Sequence, residues 1–283
     1  GDDEAVIPTA RWLHQLNSDM AFDFSIYMAP LSAADTLNRL LWKHCFAAVL
    51  TSATLAALGH FDHFIEQIGT GDSDRSFKIL GDLNFAGSIF HVPKMLSDPT
   101  QADRHTEEII QLLPDLLSQD GGSLVLFSSR RQLKAVYEGL EDTLRHSVLL
   151  QGERSKQYLI NQHKKAVDEG ANSVLFGLAS FAEGLDLPGD YCLQVIIAKL
   201  PFAVPDSPID EALGEWIESN GGNSFWDIAV PNASLRLLQA CGRLLRGEFD
   251  QGRVTLLDRR IITKSYGKQL LASLPPFEKQ LNC

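Results

Sequence analysis

The sequence lacks a phosphate-binding glycine loop. No G-x-x-x-x-G-K-[ST] occurs, and Gly267-Lys268 is followed by Gln269 without the upstream glycine. A dinucleotide fingerprint is missing too, since Gly69-Thr70-Gly71 has no third glycine and follows a helix-like stretch. Cysteine is scarce: Cys45, Cys192, Cys241 and Cys283 lie far apart with no C-x-x-C pair. That excludes a disulfide scaffold and a local zinc or iron–sulfur signature, and it suits a reducing, cytoplasmic compartment. The eight histidines form no H-E-x-x-H, so no metal-site residues are assigned. Ser147, Cys192 and Cys241 show no partnered histidine in local sequence, His146 being merely adjacent to Ser147, which leaves a hydrolase triad unsupported. Apolar runs such as Phe46 to Leu50 have strand length, well short of the roughly 18 residues of a membrane span. No basic n-region precedes an apolar h-region, so no signal peptide is visible. The first residue is Gly rather than Met, and the expectation is an excised or trimmed piece.

What is present is ordinary globular material. Of 283 residues, 45% are hydrophobic and 22% charged, which excludes a disordered or collagen-like chain. Asp plus Glu is 36 against 25 Lys plus Arg, a net charge of −11. An acidic chain binds nucleic acid only where its basic residues gather in one groove.

Short apolar runs alternate with helical patterns. Strands are expected at Ala47 to Thr51, Leu124 to Phe127, Val148 to Leu150, Val174 to Phe176, Val195 to Ile197 and Val254 to Leu257. Helices are expected at Leu31 to Trp42, Thr106 to Leu117, Arg131 to Leu144, Lys156 to Val167 and Ser234 to Leu245. Asp210-Glu211 reads as the start of a capped helix, and Asp168-Glu169-Gly170 as a helix end. This alternation indicates an α/β fold, a parallel sheet covered by helices on both faces. Ligands of such sheets bind beyond the carboxyl ends of the strands. The loops there read Thr51-Ser52-Ala53-Thr54, Ser128-Ser129-Arg130, Gln151-Gly152-Glu153 and Gly177-Leu178-Ala179-Ser180. Their hydroxyls and backbone amides suit phosphate contacts, although Ser and Thr also simply cap helices. Phe90, Phe181 and Phe202 lie near loop positions and read as core rather than base-stacking residues.

The most specific pattern is Gln239-Ala240-Cys241-Gly242-Arg243-Leu244-Leu245-Arg246. On a helix, Arg243 and Arg246 share one face, and two guanidiniums there can grip an anion. Gly242 allows close approach of backbone or phosphate.

Q-x-x-G-R-x-x-R resembles motif VI of superfamily 2 helicases. Thr51-Ser52-Ala53-Thr54-Leu55 resembles their motif III, Leu124 to Ser129 motif IV, and Ser180-Phe181-Ala182-Glu183-Gly184-Leu185-Asp186 motif V, in the family's order. Phe181 to Leu187 and Thr263 to Lys268 are similar to the bacterial DinG helicases, relatives of the XPD-type iron–sulfur helicases. The resemblance runs from about residue 30 to residue 277. It implies a RecA-like second motor domain without its own phosphate loop over 31–283, after a linker left from an arch region over 1–30. It implies that Arg243 and Arg246 are catalytic arginine fingers for ATP held on the first motor domain. Gln239, Gly242, Glu183, Gly184 and Asp186 would line the ATP cleft. Ser128, Ser129, Arg130, Ser180, Thr51, Thr54 and Gln151 would contact single-stranded DNA.

The implied partners are single-stranded DNA and the first RecA-like domain, with no membrane. The implied activity is 5′-to-3′ unwinding in DNA repair or replication conflict. ATP and Mg²⁺ would be held mainly by the first domain, and a 4Fe–4S cluster would belong to the longer parent only. The 283 residues by themselves are expected to be inactive. The competing readings are a non-catalytic interaction module that kept the fold, and an RNA helicase motor domain.

Overall fold

Short apolar segments cannot satisfy their backbone amides alone, so they pair edge to edge and bury both faces under helices. A computed structural model describes residues 8–16, 23–70, 85, 87–117, 121–203, 207–245 and 250–282. In chain order its elements are β1 (Thr9–Gln15), β2 (Phe24–Pro30), α1 (Ala34–Leu40), α2 (Asp62–Ile68), β3 (Ile89–Val92), α3 (Ala102–Leu116), β4 (Gly122–Phe127), α4 (Arg130–Gly139), α5 (Asp142–Arg145), β5 (Val148–Leu150), α6 (Lys156–Asp168), β6 (Ser173–Leu178), α7 (Ala179–Ala182), β7 (Gln194–Ile197), α8 (Pro208–Ser219), α9 (Val230–Cys241), β8 (Arg253–Leu256), α10 (Arg260–Thr263), α11 (Ser265–Ser273) and β9 (Glu278–Leu281). They divide into two compact units, Gly1–Lys78 with Phe202–Leu235 and Ile79–Pro201 with Arg236–Cys283.

The larger unit is the α/β fold expected from the sequence. Its seven strands run in the order β5-β6-β4-β7-β8-β3-β9, and every pairing is parallel. Every residue of β4 is buried, with Leu124 opposite Leu175 on one side and Val195 on the other. Successive side chains point to opposite faces. Val125, Phe127, Phe176 and Ile196 therefore pack with Ile109 and Leu113 of α3 and Leu133 and Val136 of α4. Helix α6 packs on β4, β5 and β6 and buries Leu159 and His163. Five of the six expected strands are present. Strand β3, whose residues Ile-Phe-His-Val include a histidine, and strand β9, a polar Glu-Lys-Gln-Leu edge strand, are additional to those expected.

Two buried histidines fasten helices to this sheet. His163 Nε2 lies 2.8 Å from the Tyr191 carbonyl and its Nδ1 2.8 Å from Ser173 Oγ. The carbonyl can only accept, so Nε2 carries the proton and Nδ1 accepts from the hydroxyl. His105 likewise donates from Nε2 to the Leu257 carbonyl at 2.7 Å and accepts at Nδ1 from Gln132 Nε2 at 3.1 Å. Burial pushes both imidazoles below the usual histidine pKa, against the opposing pull of those carbonyls.

In the smaller unit β1 and β2 pair antiparallel, with Leu13 opposite Ile26 and Arg11 opposite Met28. Leu13, Phe24, Ile26 and Met28 are exposed. Helix α8 packs on β1. It begins after Ser207, whose hydroxyl accepts from the Asp210 amide at 3.1 Å, the capped start read from the sequence. The strand expected at Ala47 to Thr51 does not form: the segment is irregular, every residue is exposed, and Phe46 and Val49 are almost fully so. Its composition suits a strand, but nothing among the described residues of this unit pairs with it. Among the described residues no helix is long and apolar enough to cross a membrane.

Candidate functional site

A parallel sheet sends all its strand ends to one edge, and the spatial order decides which loops meet there. Strands β5, β6 and β4 are adjacent. Their exits carry Gln151 to Ser155, Ala179 to Asp186, and Ser128 to Arg130. Three of the four loops singled out from the sequence thus share one edge of the larger unit. Thr51 and Thr54 belong to the smaller unit, where Ser52 Oγ accepts from the Thr54 amide at 3.3 Å.

The loop after β6 shows how the sequence builds a presenting surface. Phe181, Ala182, Leu185 and Leu187 are buried, while Ser180, Glu183, Gly184 and Asp186 are exposed. The apolar members pin the loop and the polar members face outward. A Cβ added at Gly177 would lie 2.4 Å from the Phe181 ring, so β6 needs glycine there to let the ring seat. Gly184 has φ +69°, the left-handed region, and a Cβ there would meet nothing within 4 Å. Open space beside the backbone is what a ligand would use.

The two neighbouring loops are more structural than their composition suggests. Gln151 Oε1 accepts from the Leu178 amide at 2.7 Å, which ties the β5 exit to the β6 exit. Ser129 Oγ accepts from the Gln132 amide at 3.3 Å and caps α4. Ser128 and Arg130 flank it; Ser128 is exposed and so is Arg130.

The Q-x-x-G-R segment departs from the expected geometry. Helix α9 starts earlier than expected, at Val230, and ends at Cys241 rather than continuing to Leu245. Beyond it the backbone tightens, with the Arg243 amide bonding to the Ala240 carbonyl at 3.1 Å and Leu244 to Cys241 at 3.1 Å. Such i→i+3 bonds are usual in a last helical turn, and Gly242 favours helix ending here. Arg243 therefore sits on a turn after the helix, half-buried, not on a helix face; Gln239 and Gly242 are exposed. Arg246 lies outside the described residues. Cys241 is buried, and burial pushes its thiol up to about 12, so it is inert at neutral pH.

Three further charged residues, Lys199, Asp258 and Arg260, stand at this sheet edge outside the motifs singled out from the sequence. Asp258, just past β8, is fully buried. Its carboxylate accepts from the Leu200 amide at 2.8 Å and from Arg260 Nη2 at 2.7 Å and Nε at 3.0 Å. The pair joins the β7 exit to the β8 exit. Lys199 stands nearby, and burial with the Arg260 charge pushes its pKa below the usual lysine range while Asp258 pulls the other way. The run Leu257-Asp258-Arg259-Arg260 directly after an apolar strand was the available signal. Phe90 and Phe181 are core, as read from the sequence, whereas Phe202 is half-buried and stacks on Phe225 with centroids 5.6 Å apart.

Comparison with known proteins supplies the family. Residues 113–277, more than half of the chain, match the helicase C-terminal domain family. The chain is 45% identical over 277 residues to the ATP-dependent DNA helicase DinG of Photobacterium profundum, covering 96% of this chain and 40% of that protein. It is 34% identical to the DinG of Escherichia coli (strain K12), covering 95% and 38%. A solved XPD helicase superposes with a TM-score of 0.61 at 19% identity, over 92% of this chain and 47% of that one, which shows the shared fold. The chain thus spans about two fifths of the length of these curated relatives. With a parallel sheet and motif loops in the order already described, the chain belongs to the helicase C-terminal domain family.

Proposed function

We propose that this chain is the second motor domain of an ATP-dependent DNA helicase and works only with a phosphate-loop domain in the same polypeptide. The observation that carries the reading is the loop after β6, pinned by Phe181, Leu185 and Leu187 and presenting Ser180, Glu183, Gly184 and Asp186 at the sheet edge. The names of the DinG relatives support DNA as the substrate. The exposed apolar run Phe46 to Leu50 and the exposed apolar side chains of β1 and β2 support a domain that covers them.

ATP supplies the phosphoryl group whose transfer drives the motor. Phosphoryl transfer spreads charge over the transferred group, and a positioned arginine stabilises it. Arg243 and Arg246 serve that role on closure of the two domains. Gln239, Gly242, Glu183, Gly184 and Asp186 face the nucleotide from this side. Ser128, Ser129, Arg130 and Ser180 hold the strand by its phosphates, joined by Thr51, Thr54 and Gln151. The polarity is 5′-to-3′, the work is DNA repair or replication conflict, and the compartment is the cytoplasm.

Among the described residues no group of three or more His, Cys, Asp or Glu side chains could hold a metal. Cys192 and Cys241 are each buried, separate and unbridged. ATP and Mg²⁺ are held mainly by the first domain and the 4Fe–4S cluster belongs to the longer parent, so no step on this chain is routed through Mg²⁺ or the cluster. The 283 residues alone are expected not to turn over ATP.

The test is DNA-stimulated ATPase of the full-length polypeptide, wild type against Arg246→Ala, with ATP binding measured separately. The expected loss in turnover is about 10³-fold or more with binding retained. Unchanged turnover would sink the finger assignment and favour the interaction-module reading. That reading has one observation behind it: α8 carries Glu211, Glu215 and Glu218 beside an exposed Trp216. Matched DNA and RNA competitors separate the two nucleic acids.

A further inference from the structure

We propose that Lys156 is a positioning residue that holds the Glu183–Asp186 loop in its working shape. The inference rests on the motor-domain reading for its functional consequence, but not for its geometry. Lys156 is the first residue of α6, directly after the capping Ser155, whose Oγ accepts from the Tyr158 amide at 3.3 Å. A cation at a helix N-terminus meets the positive end of the macrodipole and is disfavoured there. The side chain instead leaves its own helix. Its Nζ donates to the Glu183 carbonyl and stands 5.5 Å from the centroid of the Phe181 ring. Both contacts fall on the loop after β6.

The apolar members of that loop are buried. Phe181 is fixed from beneath by the glycine at 177, and the Leu185 amide bonds to the Ala182 carbonyl at 3.1 Å. Between them Glu183 and Gly184 are exposed, and Gly184 has open space around it. A charge-assisted bond to the Glu183 carbonyl sets the peptide that enters Gly184, and so the direction in which Asp186 is presented. The Gln151–Leu178 bond joins the same two loops at their bases. With it, the exits of β5 and β6 are clamped at bottom and top. Lys156 then transmits the position of α6 to the nucleotide-facing loop without touching nucleotide.

The experiment uses the full-length polypeptide with Lys156→Met, which keeps the aliphatic stem, and Lys156→Arg, which keeps the cation. Hydrogen exchange of the Glu183 to Asp186 amides is read alongside DNA-stimulated ATPase and the salt dependence of DNA binding. In Lys156→Met the loop amides are expected to exchange several-fold faster with β4 amides unchanged. Turnover should fall about tenfold, the scale of one lost charge-assisted hydrogen bond, and Lys156→Arg should restore it. The salt slope of DNA binding should not change. Unaltered loop exchange in Lys156→Met overturns the proposal. A salt slope lowered by about one with turnover intact also overturns it, because Lys156 would then be a phosphate contact. A wild type without DNA-stimulated turnover sinks the motor reading instead, and the exchange arm still decides whether Lys156 holds the loop.

Discussion

Two apolar segments of nearly the same composition meet opposite fates in this molecule. Leu124-Val125-Leu126-Phe127 is a buried central strand of the larger unit, while Phe46-Ala47-Ala48-Val49-Leu50 in the smaller unit is irregular and exposed. Local sequence does not separate them. Partnership does: β4 has β6 on one side and β7 on the other, and the second run has no strand beside it among the described residues. Strand propensity is a statement about fitting a half-buried pleated surface, and it is realised only where that surface exists.

The sharpest way to break the ordered side of this contrast is Asp258→Ala. It leaves the Arg260 guanidinium and the Leu200 amide without their shared carboxylate at the exits of β7 and β8. Removing one partner of a buried pair costs about 3–5 kcal/mol, so denaturant titration should show the larger unit losing that much. A loss below about 1 kcal/mol would mean that the carboxylate is dispensable.

The buried histidines predict a smaller, pH-dependent effect. Both His105 and His163 have folded pKa values held down by burial, so the unfolded chain takes up protons that the folded one refuses. Stability should therefore be full above the unfolded histidine value of about 6.5 and should decline as pH falls below it. Thermal midpoints from pH 8 to 5 check this. Replacing both histidines with Gln should flatten the decline, and an unchanged slope would assign it elsewhere.

The smallest effect is expected on the other side of the contrast. Val49→Ser, at an almost fully exposed position, should change the stability of this chain by no more than about 0.5 kcal/mol. The same substitution in the full-length polypeptide should cost more, because there the run is expected to be covered. Equal effects in the two contexts would remove the case for a covering domain.

These contrasts also explain what could be read in advance. The central strands were legible because continuous burial leaves a continuous apolar signature, as at Val174 to Phe176 and Val195 to Ile197. The polar edge strand β9 leaves none, unlike the apolar edge strand β5. The motif loops were legible as resemblance, but the work of Gln151 and Ser129 was not. Nothing in the local sequence shows that the Gln151 carboxamide also stitches two loops or that the Ser129 hydroxyl also caps a helix. R-x-x-R suits a helix face, but the helix ends at Cys241, before Gly242 and Arg243. Asp258 and Lys156 act through partners 58 and 27 residues away in sequence, a separation that no local pattern reveals.

The strand order has a consequence for how the molecule is made. Strand β3 lies between β8 and β9, yet it precedes both by most of the length of the larger unit. During synthesis Ile89–Val92 emerges and then waits, unpaired, until Arg253–Leu256 arrives; at ribosomal speeds the interval is on the order of ten seconds. The β5-β6-β4 block can assemble earlier from residues contiguous in sequence. Maturation of this sheet should accordingly be stepwise, with the loop-bearing edge formed first and the β3 side closed last.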